Sequence, residues 1–287
     1  MSRMTGIKRG FSHTVYIFSE NPVSIFAVSL FFLYLLMALV GPWLVPYDPY
    51  LTNTSIALQA PSIDHWFGTD HLGRDVFSRV VVATRMDLGI AFSAVALSAI
   101  IGCSLGSLAG YFGGWIDQIV GRLTDIVMAF PLFVLAMGLV AAMGNTVENI
   151  IYATALINIP FYVRVSRAEV NIRRNLPYVQ AALQSGNSHI RALAMHIFPN
   201  TLSPLMVQLS LNSGWAILNA AGLSFIGLGV KPPQAEWGIM VAEGANYMIS
   251  GEWWLVLFPG LTLMMAVFCF NLLGDSLRDI VDPSKRT

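Results

Sequence analysis

The chain predicts an all-α, polytopic membrane protein with six transmembrane helices. Of its 287 residues 55% are hydrophobic and 11% charged, and the mean hydropathy is +0.64, far from the balance of a soluble domain. Stretches without Asp, Glu, Lys or Arg run from Glu20 to Asp48, Asp87 to Asp117, Asp125 to Glu148 and Glu252 to Asp275. Each exceeds the roughly 20 residues that cross a bilayer as helix. Of the 16 basic residues only Arg74, Arg79, Arg85 and Lys231 fall on one side if the N-terminus lies inside. That asymmetry predicts both termini in the cytoplasm.

The first span, Pro22 to Val45, follows a short basic segment but is too long for a signal sequence, whose apolar part is about 7 to 15 residues. No small-x-small cleavage site precedes Pro46, so a retained helix is expected. Residues 1–48 then form an N-terminal cytoplasmic segment and first helix, 49–87 an outer loop, and 88–287 a core of the remaining helices. Pro, Asp and Asn content between Pro46 and Asp87 predicts irregular structure outside the bilayer. The second span carries Ala94, Ser98, Gly102, Gly106 and Gly110 at four-residue spacing, a groove of small side chains where a second helix can approach closely. The third lies between Asp125 and Glu148, and the fourth, Ile150 to Val163, contains Pro160. A Pro199-Asn200 break opens the fifth, which continues to about Phe225, and Glu252 to Asp275 holds the sixth. Trp43, Trp253 and Trp254 fit an aromatic belt at headgroup depth. Cys103 and Cys269 lie inside spans as small hydrophobes.

Energy must come from elsewhere. None of Lys8, Lys231 and Lys285 follows a glycine, so no phosphate-cradling Gly-Lys-Ser/Thr loop is present. Asp125, Glu148, Glu252 and Asp275 sit at span ends, which leaves no mid-membrane acid for coupling to an ion gradient. No catalytic residue is expected, and an external ATPase becomes the better driver. A secondary carrier or channel is the alternative of another class.

The inner segment YVQAALQSGNSHIRALAMHIFPN, Tyr178 to Asn200, is the place for such a driver to act. Pro177 suits a first helical turn, and Tyr178, Ala182 and Ser185, with Ala181 beside them, share a small face fit for a partner's groove. Gly186 permits a sharp change of direction. Beyond it Ile190, Leu193 and Ile197 form an apolar stripe suited to lying on the membrane. A coupling helix is expected at about 177–190.

This segment resembles the cytoplasmic motif of permease subunits of ATP-binding-cassette (ABC) importers: Glu-Ala-Ala, three residues, Gly, nine residues, Ile-x-Leu-Pro. Here Gln180-Ala181-Ala182, Gly186 and His196-Ile197-Phe198-Pro199 keep the spacing, with Gln180, His196 and Phe198 replacing Glu, Ile and Leu. The outer stretch HWFGTDHLGRDVFSRVVVATR, His65 to Arg85, is similar to the signature of the second permease subunit of the dipeptide, oligopeptide and nickel group. The runs Gly110 to Pro131 and Leu223 to Gly229, and the pair Trp237-Gly238, are similar to the same group.

The resemblance implies a type I ABC importer permease core in a bacterial inner membrane. Its implied partners are a second homologous permease, two ABC ATPases and an extracytoplasmic binding protein, with membrane lipid around it and no nucleic acid. ATP and magnesium would be held by the ATPases, with no cofactor on this chain. Tyr178, Gln180, Ala181, Ala182, Ser185, Gly186, His196 and Pro199 would couple to the ATPase. Gly68, Thr69, Asp70, Gly73, Arg74, Asp75, Ser78 and Arg79 would form the outer signature. Short peptides are the expected substrate, with nickel chelates, opines or glycosides as alternatives. His65, Asp70, His71 and Asp75 cluster in sequence, but they lack dedicated metal-ligand spacing. Ion pairs among Asp70, Arg74 and Asp75 that order the loop are expected instead. Asn158, Asn200, Asn212, Asn219 and Asn271 are candidates for interhelical hydrogen bonds or for the pathway. Pro160, Gly222, Gly227 and Gly229 are candidate bends.

Overall fold

The computed structural model describes residues 22–281, and no strand occurs among them. The N-terminal basic segment with Arg3, Lys8 and Arg9, and the pair Lys285 and Arg286, lie outside the described residues. In chain order the helices are α1 (Pro22–Leu44), α2 (Val76–Phe112), α3 (Gly114–Met128), α4 (Leu132–Met143), α5 (Val147–Arg173), α6 (Pro177–Gln184), α7 (His189–Ala192), α8 (Leu202–Phe225), α9 (Trp237–Ala245) and α10 (Trp254–Val281).

α1, α2 and α10 are long and apolar enough to cross a membrane, and α3 with α4 makes a fourth crossing if the bent pair counts as one. α5 and α8, of 27 and 24 residues, are about 40 and 36 Å long at 1.5 Å per residue, which is also spanning length. Their polar side chains lower their hydropathy, and both pack inside the bundle, α5 on α2 and α8 on α10.

Two expectations are corrected here. Irregular structure does not extend to Asp87, because helix α2 begins at Val76. Asp75 caps it by accepting from the Ser78 amide at 2.8 Å and the Ser78 hydroxyl at 2.7 Å. The first turns then bury Val76, Val80 and Ala83. The third span is not one straight helix either, since α3 and α4 meet at 87° across residues 129–131. Pro131 has no amide hydrogen to continue α3 and disfavours helical backbone at Phe130. Pro160, by contrast, sits within an uninterrupted α5.

The small-residue groove of α2 faces α5. Ala94, Ser98, Gly102, Gly106 and Gly110 are all buried. A methyl group on Gly110 would stand 2.5 Å from the Arg167 carbonyl oxygen, and one on Gly106 would collide with that of Val163. α2 and α5 form the most extensive helix pair among the described residues. The pair is pinned by Ser107 and Ser166, whose hydroxyls lie 2.8 Å apart, and by Ser166 donating to the Cys103 carbonyl at 3.1 Å.

Serines and a tyrosine, rather than the five asparagines, make several of the cross-helix hydrogen bonds among the described residues. Ser210 reaches Phe270 O at 2.8 Å, Ser24 reaches Ser276 at 2.9 Å and Tyr34 reaches Thr262 O at 2.7 Å. Asn158, Asn200 and Asn219 instead donate to the carbonyls of Thr154, His196 and Trp215, four residues back in their own segments. A short amide side chain finds its own preceding turn closer than a neighbouring helix. Asn212 accepts from Gln208 on the same helix, and Asn271 is exposed. Trp43 and Trp253 are exposed, as an aromatic belt requires, but Trp254 is buried and donates to Thr69 O at 3.3 Å.

Candidate functional site

Helix α2, 37 residues and thus about 55 Å long, joins two candidate sites. Residues 68–79 surround its start, and the elbow formed by α6, Gly186 and α7 lies against its last turn.

At the first end Gly68 and Gly73 take φ of +73° and +72°, folding the loop back so that Thr69 and Asp75 pair across it. The Thr69 hydroxyl donates to Ile56 O and accepts the Gln59 amide, which ties the signature to the preceding turn. Asp70 accepts the amides of Leu72 and Arg74, each at 2.9 Å, and the Arg74 Nε at 2.6 Å. Arg74 also reaches Glu243 of α9 at 3.3 Å. Arg79 lies 3.6 Å from Asp70 and 3.9 Å from Glu243, and donates to Pro49 O and Pro233 O. Both arginines are 2% exposed or less, so the network is a clamp between loop and α9 and not a solvated surface pair.

Asp75 departs from expectation: it pairs with neither arginine but accepts the Ser78 groups and faces His65 Nδ1 at 2.9 Å. The four-residue histidine and aspartate cluster is thereby divided. His71 stacks on Tyr247, and its ring nitrogen lies within 4.8 Å of the Asp70 and Glu243 carboxylates. Those carboxylates are already committed to Arg74 and Arg79.

Sequence reasoning missed Glu243, Asp87 and Glu236. Glu236 caps α9 by accepting the Gly238 and Ile239 amides at 2.9 and 2.8 Å, while Asp87 accepts the Trp237 amide at 3.2 Å. Burial raises the Glu236 carboxyl from its ordinary value, against the lowering pull of Asp87 and those two amides. No local spacing links Asp87 to Glu236 or Arg74 to Glu243, so the sequence carried no signal for these pairings.

At the other end α6 begins at Pro177 and closes with two reverse hydrogen bonds, Asn187 N–H to Ala182 O at 3.2 Å and Gly186 N–H to Leu183 O at 3.0 Å. Gly186 holds φ at +86°, the left-handed residue such a cap demands. Ser188 then caps α7 by accepting the Arg191 amide. The expected face of α6 is divided: Tyr178, Gln180, Ala181 and Ser185 are exposed, whereas Ala182 turns inward beside Val179. The second stripe is also corrected. Leu193 and Ile197 are buried against Val179 and Val170 in one apolar cluster, and only Ile190 remains exposed. The elbow closes on itself because this contact removes the Val179, Leu193 and Ile197 side chains from water.

After α7 the backbone makes a π turn at Leu193–Ile197 and a 3-10 turn at Phe198–Thr201 before α8. Pro199 supplies no amide to the carbonyl of Met195, so the ladder re-registers there. His196 is half-buried and Pro199 exposed. His189 Nδ1 meets the Tyr111 hydroxyl at 2.8 Å, and Arg174 donates to Gly110 O and Tyr111 O at 3.2 and 3.3 Å. The elbow is therefore fastened to the end of α2.

Residues 102–287 match the family described as binding-protein-dependent transport system inner membrane component, and residues 11–61 match the N-terminal transmembrane domain of oligopeptide transport permease C. The chain is 43% identical over 269 residues to the "Probable D,D-dipeptide transport system permease protein" of Escherichia coli (strain K12), covering 94% of this chain and 90% of that one. It is 40% identical to the dipeptide transport system permease of Alkalihalophilus pseudofirmus over 93% of this chain and 88% of the relative. To the nickel transport system permease of Escherichia coli (strain K12) it is 40% identical over 86% and 89% of the two chains. With these family models and relatives matched over nearly its whole length, the chain belongs to the binding-protein-dependent inner membrane components, as an oligopeptide- and dipeptide-type permease subunit of an ABC importer.

Proposed function

We propose that this chain forms half of a translocation pathway for short peptides, lies with both termini in the cytoplasm, and is driven through the α6 elbow. A second homologous permease completes the pathway, two ABC ATPases bind ATP and magnesium, and an extracytoplasmic binding protein delivers substrate. The chain itself takes no cofactor in this reading.

The observation that supports the reading best is the exposed row Tyr178, Ala181 and Ser185, with Gln180 exposed on another side of α6, set on an anchored base. Val179 and Ala182 are buried beneath it, and Arg174 and His189 tie that base to α2. A helix displaced by a partner moves its own protein only if it is anchored and the two states differ in contact free energy. Peptides are favoured because relatives with comparable identity are named for dipeptides; the nickel permease gives the second choice.

The test is reconstitution of the chain with its co-expressed partner subunits in proteoliposomes. Uptake of a labelled dipeptide is expected to require ATP and the binding protein. Uptake by this chain alone under a proton gradient would overturn the reading in favour of a secondary carrier.

A further inference from the structure

At the elbow end of α2, a cavity of about 560 Å³ opens between the last turns of α2, the start of α3 and the end of α5. Its polar wall holds Arg164, Arg167 and Arg174 with Asp117 and Asp125. Arg167 pairs with Asp117, and Arg164 with Asp125 at 3.3 Å. Arg174 donates only to the carbonyls of Gly110 and Tyr111 and, among the described residues, has no carboxylate partner. Three guanidinium groups against two carboxylates leave the cavity one positive charge in excess. The first turn of α3, which has no side-chain cap, borders the same space through Gly113 and Gly114.

What lies beside the cavity selects the anion. Along α3, Trp115, Ile119, Leu123 and Ile126 recur every three or four residues and are between 51% and 71% exposed. Val120, on the flank of that row, is buried against Ala109 and Val163. Asp117 and Asp125, on the far side of the helix, reach the arginines. α3 therefore presents an apolar row to one side and closes a cationic cavity with the other. A free inorganic anion uses only the cavity; a molecule with a phosphate and acyl chains uses both.

We infer that the cavity between α2, α3 and α5 binds the phosphate of an anionic phospholipid, with its acyl chains along the Trp115–Ile126 face. The planar fork of Arg174 offers paired donors to phosphate oxygens, and a basic pocket between membrane helices suits such headgroups. The orientation proposed above assigns this lipid to the inner leaflet, but the binding itself does not depend on transport or its direction.

Native mass spectrometry of the full chain, purified in detergent and mixed with phosphatidylglycerol or phosphatidylcholine, tests the inference. Phosphatidylglycerol is expected to be retained preferentially. Arg174→Gln should cut its occupancy at least fivefold and leave phosphatidylcholine unchanged. Asp125→Asn, which removes a carboxylate that is 65% exposed, should raise retention two- to threefold without risk to folding. Equal retention of the two lipids, or a correctly folded Arg174→Gln protein that keeps its phosphatidylglycerol, overturns the site. Glycerol phosphate competing as tightly as the lipid overturns the lipid assignment. Absence of ATP-dependent uptake by the unsubstituted assembly, with lipid binding intact, would count against the proposed function and leave this site standing.

Discussion

Gly186 stands at φ +86° with no heavy atom within 4 Å of where a side chain would begin. Space is therefore not what excludes other residues; backbone conformation is. A β-branched side chain there costs about 1–2 kcal/mol or more and opposes the two reverse hydrogen bonds that end α6. Gly186→Val is expected to leave the subunit inserted and to cut uptake at least tenfold, while Gly186→Asn, which tolerates left-handed backbone, keeps most of it. Immunoblotting of membranes beside uptake separates the two effects. Arg74 is constrained differently, by charge. Arg74→Ala leaves Asp70 and Glu243 to share Arg79, and a loss of about 3 kcal/mol is expected. It would be read as a lowered unfolding midpoint in detergent. Arg74→Lys should recover only part, since an ammonium cannot reach both carboxylates as the fork does.

Among elements, α2 and α5 depend on what is absent from their interface. Gly106→Leu would push the Val163 backbone away and is expected to abolish the folded protein, whereas Gly89→Leu, at an exposed position with open space, should be tolerated. Protease resistance of the two variants in membranes distinguishes these outcomes. Ser107→Ala removes one hydroxyl pair and should cost only about 0.6 kcal/mol. The groove and the α6 turn were legible in the sequence because both are local: four-residue spacing and a glycine after a small-residue helix have one physical meaning each. The start of α2 was masked by Asp75, which reads equally as a loop residue and as a helix cap. The division of the α6 face was not legible either. Whether Ala182 points to a partner or to Val179 is decided by Leu193 and Ile197, which return from beyond the glycine. The pairing of Arg79 with Glu243 spans so much sequence that no periodicity announces it.

For the whole molecule, orientation is the property on which the rest turns. Cys103 and Cys269 are both buried, so an introduced thiol can be read against a quiet background. Ile63, 93% exposed in the loop before α2, and Ile190, 57% exposed on the elbow, lie toward opposite ends of the bundle. An impermeant maleimide applied to intact cells should label Ile63→Cys and spare Ile190→Cys, and permeabilised cells should yield both. The reverse pattern would invert the proposed topology. One long helix also sets how motion is shared. α2 has no internal proline, and it holds the buried arginine clamp at its start and the elbow's tether at its finish. Such a rod behaves as a stiff beam: a tilt of about 10° about one end sweeps the other through roughly 10 Å for a 55 Å length. Small angular strokes at the elbow end are thereby geared up into displacement at the clamp end, with no proline hinge in between to absorb them.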